Sequence, residues 1–265
     1  MHQGAWLLWA LSGGLVAITT TNPFYLLPLL GVAWVVHAAH ARPGPQARSF
    51  RIFLIFGALT ICTRTALVLF LPDIEWGNIV EAAMEGLRLA VLLTVFGAYN
   101  TVSDPFGVLR LSPRRWHEPA LAASLALSIA PRTIAAVSTV REAQRLRGIE
   151  VRRWRSLSAL AVPVLETGME EAVVLAESMD ARGHGRGRRT RYRPERWGRE
   201  ATFVSIACVF AVGVAGAALF NNDPSLALSA FPVTWPAVAP VMLVAIVGLS
   251  VPAWLSLGDQ TRASR

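Results

Sequence analysis

The chain has 265 residues, of which 54% are hydrophobic and only 16% carry a charge. Soluble domains carry about 25% charged residues, so this composition argues against a soluble protein and for one embedded in a membrane. All 25 of the Lys and Arg residues are arginine, and 18 of them lie within residues 101–200. Because the positive charge is concentrated in one segment, as in the cytoplasmic loops of membrane proteins, we do not expect nucleic-acid binding.

Six apolar segments are long enough, or nearly so, to cross a bilayer, which takes about 20 residues. The Asn22-Pro23 turn separates the first two. No arginine precedes the first segment, so we interpret it as a retained span rather than a signal peptide. Cys62 and Cys208 lie within apolar runs, which is typical of small buried side chains rather than metal ligands. The predicted spans are 5–19, 24–39, 50–71, 79–99, 201–220 and 238–257.

The distribution of arginine predicts the orientation of these spans. Arginine follows the second span, fills segment 101–200 and ends the chain, whereas loops 72–78 and 221–237 contain none. Basic loops stay on the cytoplasmic side of a membrane. We therefore predict an all-α, polytopic protein of the cell membrane with both termini in the cytoplasm. Its predicted regions are the N-terminal spans 1–100, a cytoplasmic helical region 101–200 and the C-terminal spans and basic tail 201–265.

Two charged side chains within the predicted spans are placed to pair with each other. Arg64 and Glu85 fall roughly 10–12 Å below the outer edge of the membrane, at about 1.5 Å rise per residue. We predict an ion pair between adjacent antiparallel helices, and we favour a structural link over a transport pathway. Four tryptophans near span ends are predicted to anchor the spans at the membrane–water interfaces: Trp6, Trp9, Trp76 and Trp254.

Segment 101–200 contains two further helical patterns, 119–147 and 156–182, which we interpret as amphipathic helices on the cytoplasmic face. Only Arg132 is charged within 120–140, so a spanning interpretation of that stretch stays open, although the acidic second helix disfavours it. The pair carries more apolar surface than one hairpin can bury, which predicts a platform for a partner. The platform residues are Leu121, Leu125, Ile129, Val137, Leu157, Leu160, Val164 and Val173.

Each of these two helical patterns ends in arginine followed by glycine. Leu146-Arg147-Gly148 closes the first and Ala181-Arg182-Gly183 closes the second, 35 positions further on. Glycine lets a helix stop and the chain turn away, and arginine offers a rigid set of donors to a partner's carboxylates and carbonyls. A single such helix end is common, because arginine complements the helix dipole. Two in one segment favour docking onto partners with two similar grooves.

The pair of motifs resembles the coupling motifs of the transmembrane T component of energy-coupling factor transporters, the CbiQ/EcfT family. The resemblance also rests on the early Thr21-Asn22-Pro23 turn and on the order of spans and helical region. Leu146 replaces the small residue that usually opens the first motif, whereas Ala181-Arg182-Gly183 matches the second motif fully.

The resemblance implies a non-catalytic scaffold that links two cytosolic ABC-type ATPases to a small substrate-binding membrane subunit, the S component. Arg147 and Arg182 would then enter grooves on the ATPases, and the apolar platform would face the S component. ATP would be bound by the ATPases, and no cofactor or metal is expected on this chain, which has no Gly-x-x-x-x-Gly-Lys-[Ser/Thr] phosphate loop. Vitamins and transition-metal ions are the substrate classes that the resemblance implies.

Two other classes of protein stay open. An integral membrane enzyme acting on lipid or prenyl substrates would carry a dense Asp-rich metal motif, for which Asp180 and His184 are the nearest and a poor match. A secondary transporter would favour internal repeats and broken helices at mid-membrane, and the sequence offers no convincing repeat. Co-purification of ATPases separates the leading hypothesis from both alternatives.

Overall fold

The chain is almost entirely helical in a computed structural model. The structure describes residues 2–40, 45–70, 75–148, 157–184, 186, 197–230, 233–234 and 236–255, with only the backbone at 45–48, 114, 157–160, 229–230 and 233–234. The helices are α1 Gln3–Thr19, α2 Pro23–His40, α3 Pro45–Val68, α4 Trp76–Val102, α5 Pro105–Arg110, α6 His117–Leu146, α7 Leu157–Ala181, α8 Arg199–Phe220 and α9 Pro240–Gly248. Residues 251–255 are helical again. Two short strands, β1 Ser229–Ala230 and β2 Val233–Thr234, pair antiparallel with Ser229 opposite Thr234.

The chain divides into two compact units. The first, residues 1–108 with 195–265, contains α1 to α4, most of α5, α8 and α9, and we call it the bundle. The second, residues 109–194, contains α6 and α7, which pack against each other, and we call these two helices the hairpin.

Four described helices are long and apolar enough to cross a membrane. They are α2, residues 49–68 of α3, α6 and α8, so the predicted all-α, polytopic membrane class is confirmed. Judged by length and apolar composition, four of the described helices qualify, so the predicted number of six spans is not reproduced. Of the other three predicted spans, the first coincides with α1, which is apolar but has only 17 residues. The fourth coincides with α4, which carries Glu81, Glu85 and Arg88, and the last with α9, which ends at Gly248.

The core of the bundle joins the two ends of the chain. Trp9 in α1 is 1% exposed, and its indole Nε1 donates a hydrogen bond of 2.7 Å to the carbonyl of Leu249. That carbonyl lies where the last helical segment is interrupted just before Pro252, a residue with no backbone N–H to donate. A buried carbonyl without a partner is costly, so Trp9 stabilises the interruption.

Trp6 and Trp9 were wrongly predicted to be interface anchors. They are 3% and 1% exposed, and Trp6 packs edge-on against His40 with ring centroids 4.8 Å apart. Trp76 and Trp254 are 80% and 69% exposed, as an interface position requires. Trp6 and Trp9 are buried because Trp6 packs against α2 and Trp9 packs against the C-terminal residues.

Glycines allow α3 and α4 to pack with their backbones close together. A Cβ atom at Gly86 would lie 2.8 Å from the Cα of Ile61, and one at Gly57 would lie 3.3 Å from the Cα of Ala90. Near the other end of the pair, a Cβ at Gly97 would lie 2.8 Å from the Cβ of Phe53. Small residues at such contacts are how membrane helices gain van der Waals packing, since apolar lipid provides little hydrophobic drive.

Replacing Gly86 with Ala is expected to destabilise the protein by about 1–3 kcal/mol, because the two backbones must separate to admit the methyl group. The measurement is thermal unfolding of the purified protein in detergent micelles. Gly31→Ala in α2 is the matched control, because nothing lies within 4 Å of its added Cβ. Equal unfolding temperatures for the two variants would show that the helices are not in close backbone contact.

Candidate functional site

The first Arg-Gly motif forms the C-terminal end of α6. The backbone N–H of Arg147 donates to the carbonyls of Ala143 and Gln144, at 3.2 and 3.1 Å, and that of Gly148 donates to the carbonyl of Arg145 at 3.0 Å. Gly148 has φ +76°, in the left-handed region where a side chain would be strained. The chain therefore leaves the helix axis directly after Arg147. Leu146 is 87% exposed and Arg147 is also exposed, so an apolar and a cationic side chain stand together at this end.

The second motif ends α7 in the same way. Gly183 has φ +77°, and its N–H donates to the carbonyl of Asp180 at 2.9 Å. The N–H of His184 reaches back to the carbonyl of Met179 at 3.0 Å. These two bonds make a Schellman motif, which satisfies carbonyls that a helix end otherwise leaves without partners. Arg182, the last residue before the turn, is exposed.

The two helix ends thus share one local design. In both, a glycine with positive φ donates to the carbonyl three residues earlier, and an exposed arginine precedes it. The arginine also sits at the negative end of the helix dipole, which keeps the helix end intact with or without a partner. Each end is consequently a preformed helix terminus that carries an exposed cation.

The hairpin exposes an apolar face that differs in part from the predicted platform. Leu121, Leu125, Ile129 and Val164 are half-buried, whereas Val137 and Val173 are exposed. The side chains of Leu157 and Leu160 lie outside the described part of the structure. Several apolar side chains of the hairpin are more exposed than the half-buried ones just named. They are Leu127 and Ile134 on α6 and Val162, Leu165, Met169, Val173 and Val174 on α7.

Helical spacing marks the stronger face of α7. Val162, Leu165, Met169 and Val173 are 58–70% exposed and follow one another at intervals of three and four residues, so they share one side of the helix. We call these four residues the α7 face. Three of its members were missed in the sequence, although the spacing that marks them is visible there.

Arg64 and Glu85, predicted to pair, are brought together in the structure. A nitrogen of the Arg64 guanidinium lies 3.0 Å from a carboxylate oxygen of Glu85, and their side chains are 44% and 34% exposed. The pair joins α3 to α4 next to the close contact between Gly86 and Ile61. A group of three or more His, Cys, Asp or Glu side chains able to hold a metal ion is absent from the described residues.

The Thr21-Asn22-Pro23 turn also makes specific contacts. Asn22 is fully buried, and its side-chain nitrogen donates to the carbonyls of Ser225 and Ala237, at 2.8 and 3.2 Å. Thr20 donates through its hydroxyl to the carbonyl of Leu226 at 2.8 Å. The turn between α1 and α2 therefore holds the segment that connects α8 to α9.

Together these features define an all-helical membrane protein with a pair of arginine-tipped helix ends. No family model matches the chain. It is similar, however, to curated proteins named energy-coupling factor transporter transmembrane protein EcfT. The relative from Bacillus selenitireducens is 31% identical over 156 residues, which cover 52% of this chain and 58% of the relative. That from Exiguobacterium sibiricum is 28% identical over 176 residues, covering 56% and 64%. That from Heliobacterium modesticaldum is 32% identical over 138 residues, covering 46% and 52%.

The chain therefore matches between about half and two thirds of the length of these relatives. The resemblance to the T component of energy-coupling factor transporters, first drawn from the helix-end motifs and the Asn-Pro turn, is confirmed as a relationship of sequence.

Proposed function

We propose that this chain is the transmembrane T component of an energy-coupling factor importer, a non-catalytic scaffold between ATPases and a substrate-binding membrane subunit. The observation that carries the proposal is the pair of equivalent helix ends, each with an exposed arginine fixed before a glycine of positive φ. Two equivalent cationic tips suit two equivalent partners, and two ABC-type ATPases provide such a pair. The names of the related proteins support the same assignment.

The tips are suited to transmit force as well as to bind. Arginine stays charged at any physiological pH and can donate several hydrogen bonds to carboxylates in a groove. Since each arginine is held at a helix terminus by backbone bonds, displacement of its groove would move the whole helix. In the proposed cycle the ATPases bind and hydrolyse ATP, and the hairpin carries their motion to the membrane subunits. The cargo is a vitamin or a transition-metal ion, chosen by the substrate-binding subunit.

In this proposal the hairpin lies on the cytoplasmic side, at the boundary of the cell membrane, with both chain termini on the same side. Helix α6 is apolar enough to span, but it carries Arg132 near its middle. It also packs against α7, whose acidic residues are Glu166, Glu170, Glu171, Glu177 and Asp180. A spanning α6 would draw these carboxylates towards the membrane interior, where ionised groups are costly.

The α7 face is the proposed contact for the substrate-binding subunit. Apolar contacts are non-directional, so they tolerate the rotation or exchange of a partner while the arginine tips stay fixed in the ATPases. Mutation of the face should therefore separate the two kinds of partner.

The first test purifies the complex by a tag on this chain in mild detergent, where two ATPase subunits are expected to co-purify. In the double variant Met169→Asp with Val173→Asp, we expect loss of the substrate-binding subunit and of uptake with the ATPases retained, because two carboxylates would enter an apolar contact. Val174→Asp is the matched control, since Val174 is 65% exposed but lies roughly 100° further round the helix. Absence of ATPases from the wild-type preparation would contradict the proposed function.

A further inference from the structure

Four charged side chains form a strip on α4 and α3 of the bundle. Glu81, Glu85 and Arg88 follow one another on α4 at intervals of four and three residues, which places them on one side of the helix. Arg64 of α3 joins this side through its ion pair with Glu85. We call these four residues the charged strip.

In the predicted topology, in which α4 spans the membrane, the charged strip lies at membrane depth. Helix α4 has 27 residues and is therefore about 40 Å long, and Arg88, its thirteenth residue, lies about 18 Å from its start. The helix packs against α2 and α3, both of which are long and apolar enough to span. The strip thus runs from the outer third towards the middle of a bilayer whose hydrocarbon core is about 30 Å thick.

The bundle does not seal the strip. Glu81 is exposed, Arg88 is half-buried, and the side chains of Arg64 and Glu85 keep 44% and 34% of their surface exposed. The Arg64–Glu85 pair neutralises two of the four charges, whereas neither Glu81 nor Arg88 forms an ion pair with a residue that the structure describes. Charged groups at this depth face protein or a water-filled cavity, and they pair rather than face lipid tails.

We propose that the charged strip is the intramembrane docking surface for a transmembrane helix of the substrate-binding subunit, an inference that rests on the proposed function. The partner helix carries a basic side chain at the level of Glu81 and a carboxylate at the level of Arg88. These two levels are seven residues, or about 10 Å, apart along the helix. The apolar face of the hairpin and the charged strip of the bundle are then separate contacts, the first tolerant of movement and the second specific in charge.

The order of charges along the strip favours a helix of the substrate-binding subunit over a lipid headgroup and over a second copy of this chain. A lipid headgroup stays near the membrane surface, so it does not supply a carboxylate or phosphate at the mid-membrane level of Arg88. A second copy of this chain, related by a two-fold axis along the membrane normal, would place Glu81 opposite Glu81 and Arg88 opposite Arg88. Like charges at close range repel, so the strip does not complement itself.

Photo-cross-linking in membranes that contain the full complex tests the position of the partner. A photoreactive residue at Met84, beside the strip on α4, is expected to form an adduct with the substrate-binding subunit. The control is Ile55, which is 66% exposed. It lies nine residues before Arg64, which places it on the opposite side of α3. An adduct at Met84 with lipid alone, or with a second copy of this chain, would overturn the proposal.

Two substitutions test the charges themselves. Arg88→Leu and Glu81→Leu are each expected to reduce the amount of substrate-binding subunit recovered per molecule of this chain at least tenfold, with both ATPases retained. Arg88→Lys, which keeps the charge, is expected to recover most of the wild-type amount. Recovery of all subunits by both leucine variants would refute the charged strip while leaving the proposed function intact. Loss of the ATPases as well, without rescue by lysine, would show a general structural role and would also count against it.

Discussion

Replacing both Arg147 and Arg182 with Glu is expected to strip the ATPase subunits from the purified complex. Each arginine is exposed at a helix end, so its reversal changes a docking charge, at the cost of the favourable interaction with the helix dipole. In a desolvated groove the reversal removes one ion pair and leaves the partner's carboxylate unpaired, which costs about 2–5 kcal/mol per site. The two sites together lose about 4–10 kcal/mol, so the double variant should bind the ATPases at least several hundredfold more weakly, since each 1.4 kcal/mol is about tenfold.

The single variants should keep partial binding, because one helix end still engages one ATPase. Arg132→Glu provides the matched control, as Arg132 is exposed on the same hairpin but lies fifteen positions before Arg147. The readout is the ratio of ATPase to this chain after affinity purification. If the double variant retains its ATPases at the wild-type ratio, the helix ends are not the docking elements.

The boundaries of the long helices were predictable because local chemistry sets them. The Asn22-Pro23 turn separates α1 from α2, and the two Arg-Gly pairs end α6 and α7. Proline and glycine impose backbone angles wherever they occur, so their effect can be deduced without knowing the fold. The predicted span 201–220 likewise matches α8, Arg199–Phe220, because polar residues bound an uninterrupted apolar run.

Contacts between distant parts of the chain were not predictable in this way. The burial of Trp9 depends on a carbonyl 240 residues further along the chain, and no local pattern indicates such a partner. The break after Gly248 was also missed, although Pro252 is a visible local signal within the predicted span 238–257. The short strands β1 and β2 are too brief to produce a periodic pattern.

The candidate site also has features that the sequence predicted and features that it did not. Arg64 and Glu85 could be paired in advance because two antiparallel spans joined by a short loop have a fixed register. Which apolar residues of α6 are exposed could not be predicted in the same way, because they lie on more than one side of the helix. Such a helix has two candidate inner faces. In the structure Leu121, Leu125 and Ile129 are half-buried, whereas Leu127 and Ile134 are exposed.

The turn between α1 and α2 has a structural role that the resemblance alone did not explain. Asn22 is 0% exposed and donates to two carbonyls of the segment between α8 and α9, and the backbone N–H of Ala239 donates to the hydroxyl of Tyr25 at 2.6 Å. These bonds fasten the N-terminal pair of helices to the C-terminal pair. They satisfy irregular backbone groups that would otherwise be unpaired within the protein.

Asn22→Asp is accordingly expected to destabilise the bundle strongly. The change keeps the size of the side chain but replaces a donor with an acceptor, so a carboxylate would face the carbonyl oxygens of Ser225 and Ala237. One carboxylate oxygen would still accept the hydrogen bond from the backbone N–H of Phe24. Burying the charge without a counter-ion nevertheless costs about 3–5 kcal/mol, a large share of the stability of a folded protein. The measurements are the yield of monodisperse protein and its unfolding temperature in detergent. Asn221→Asp, at an exposed residue directly after α8, is the control and should unfold like the wild type. If both aspartate variants unfold at the wild-type temperature, the turn does not hold the C-terminal segment, and the N- and C-terminal helices are joined by their apolar contacts alone.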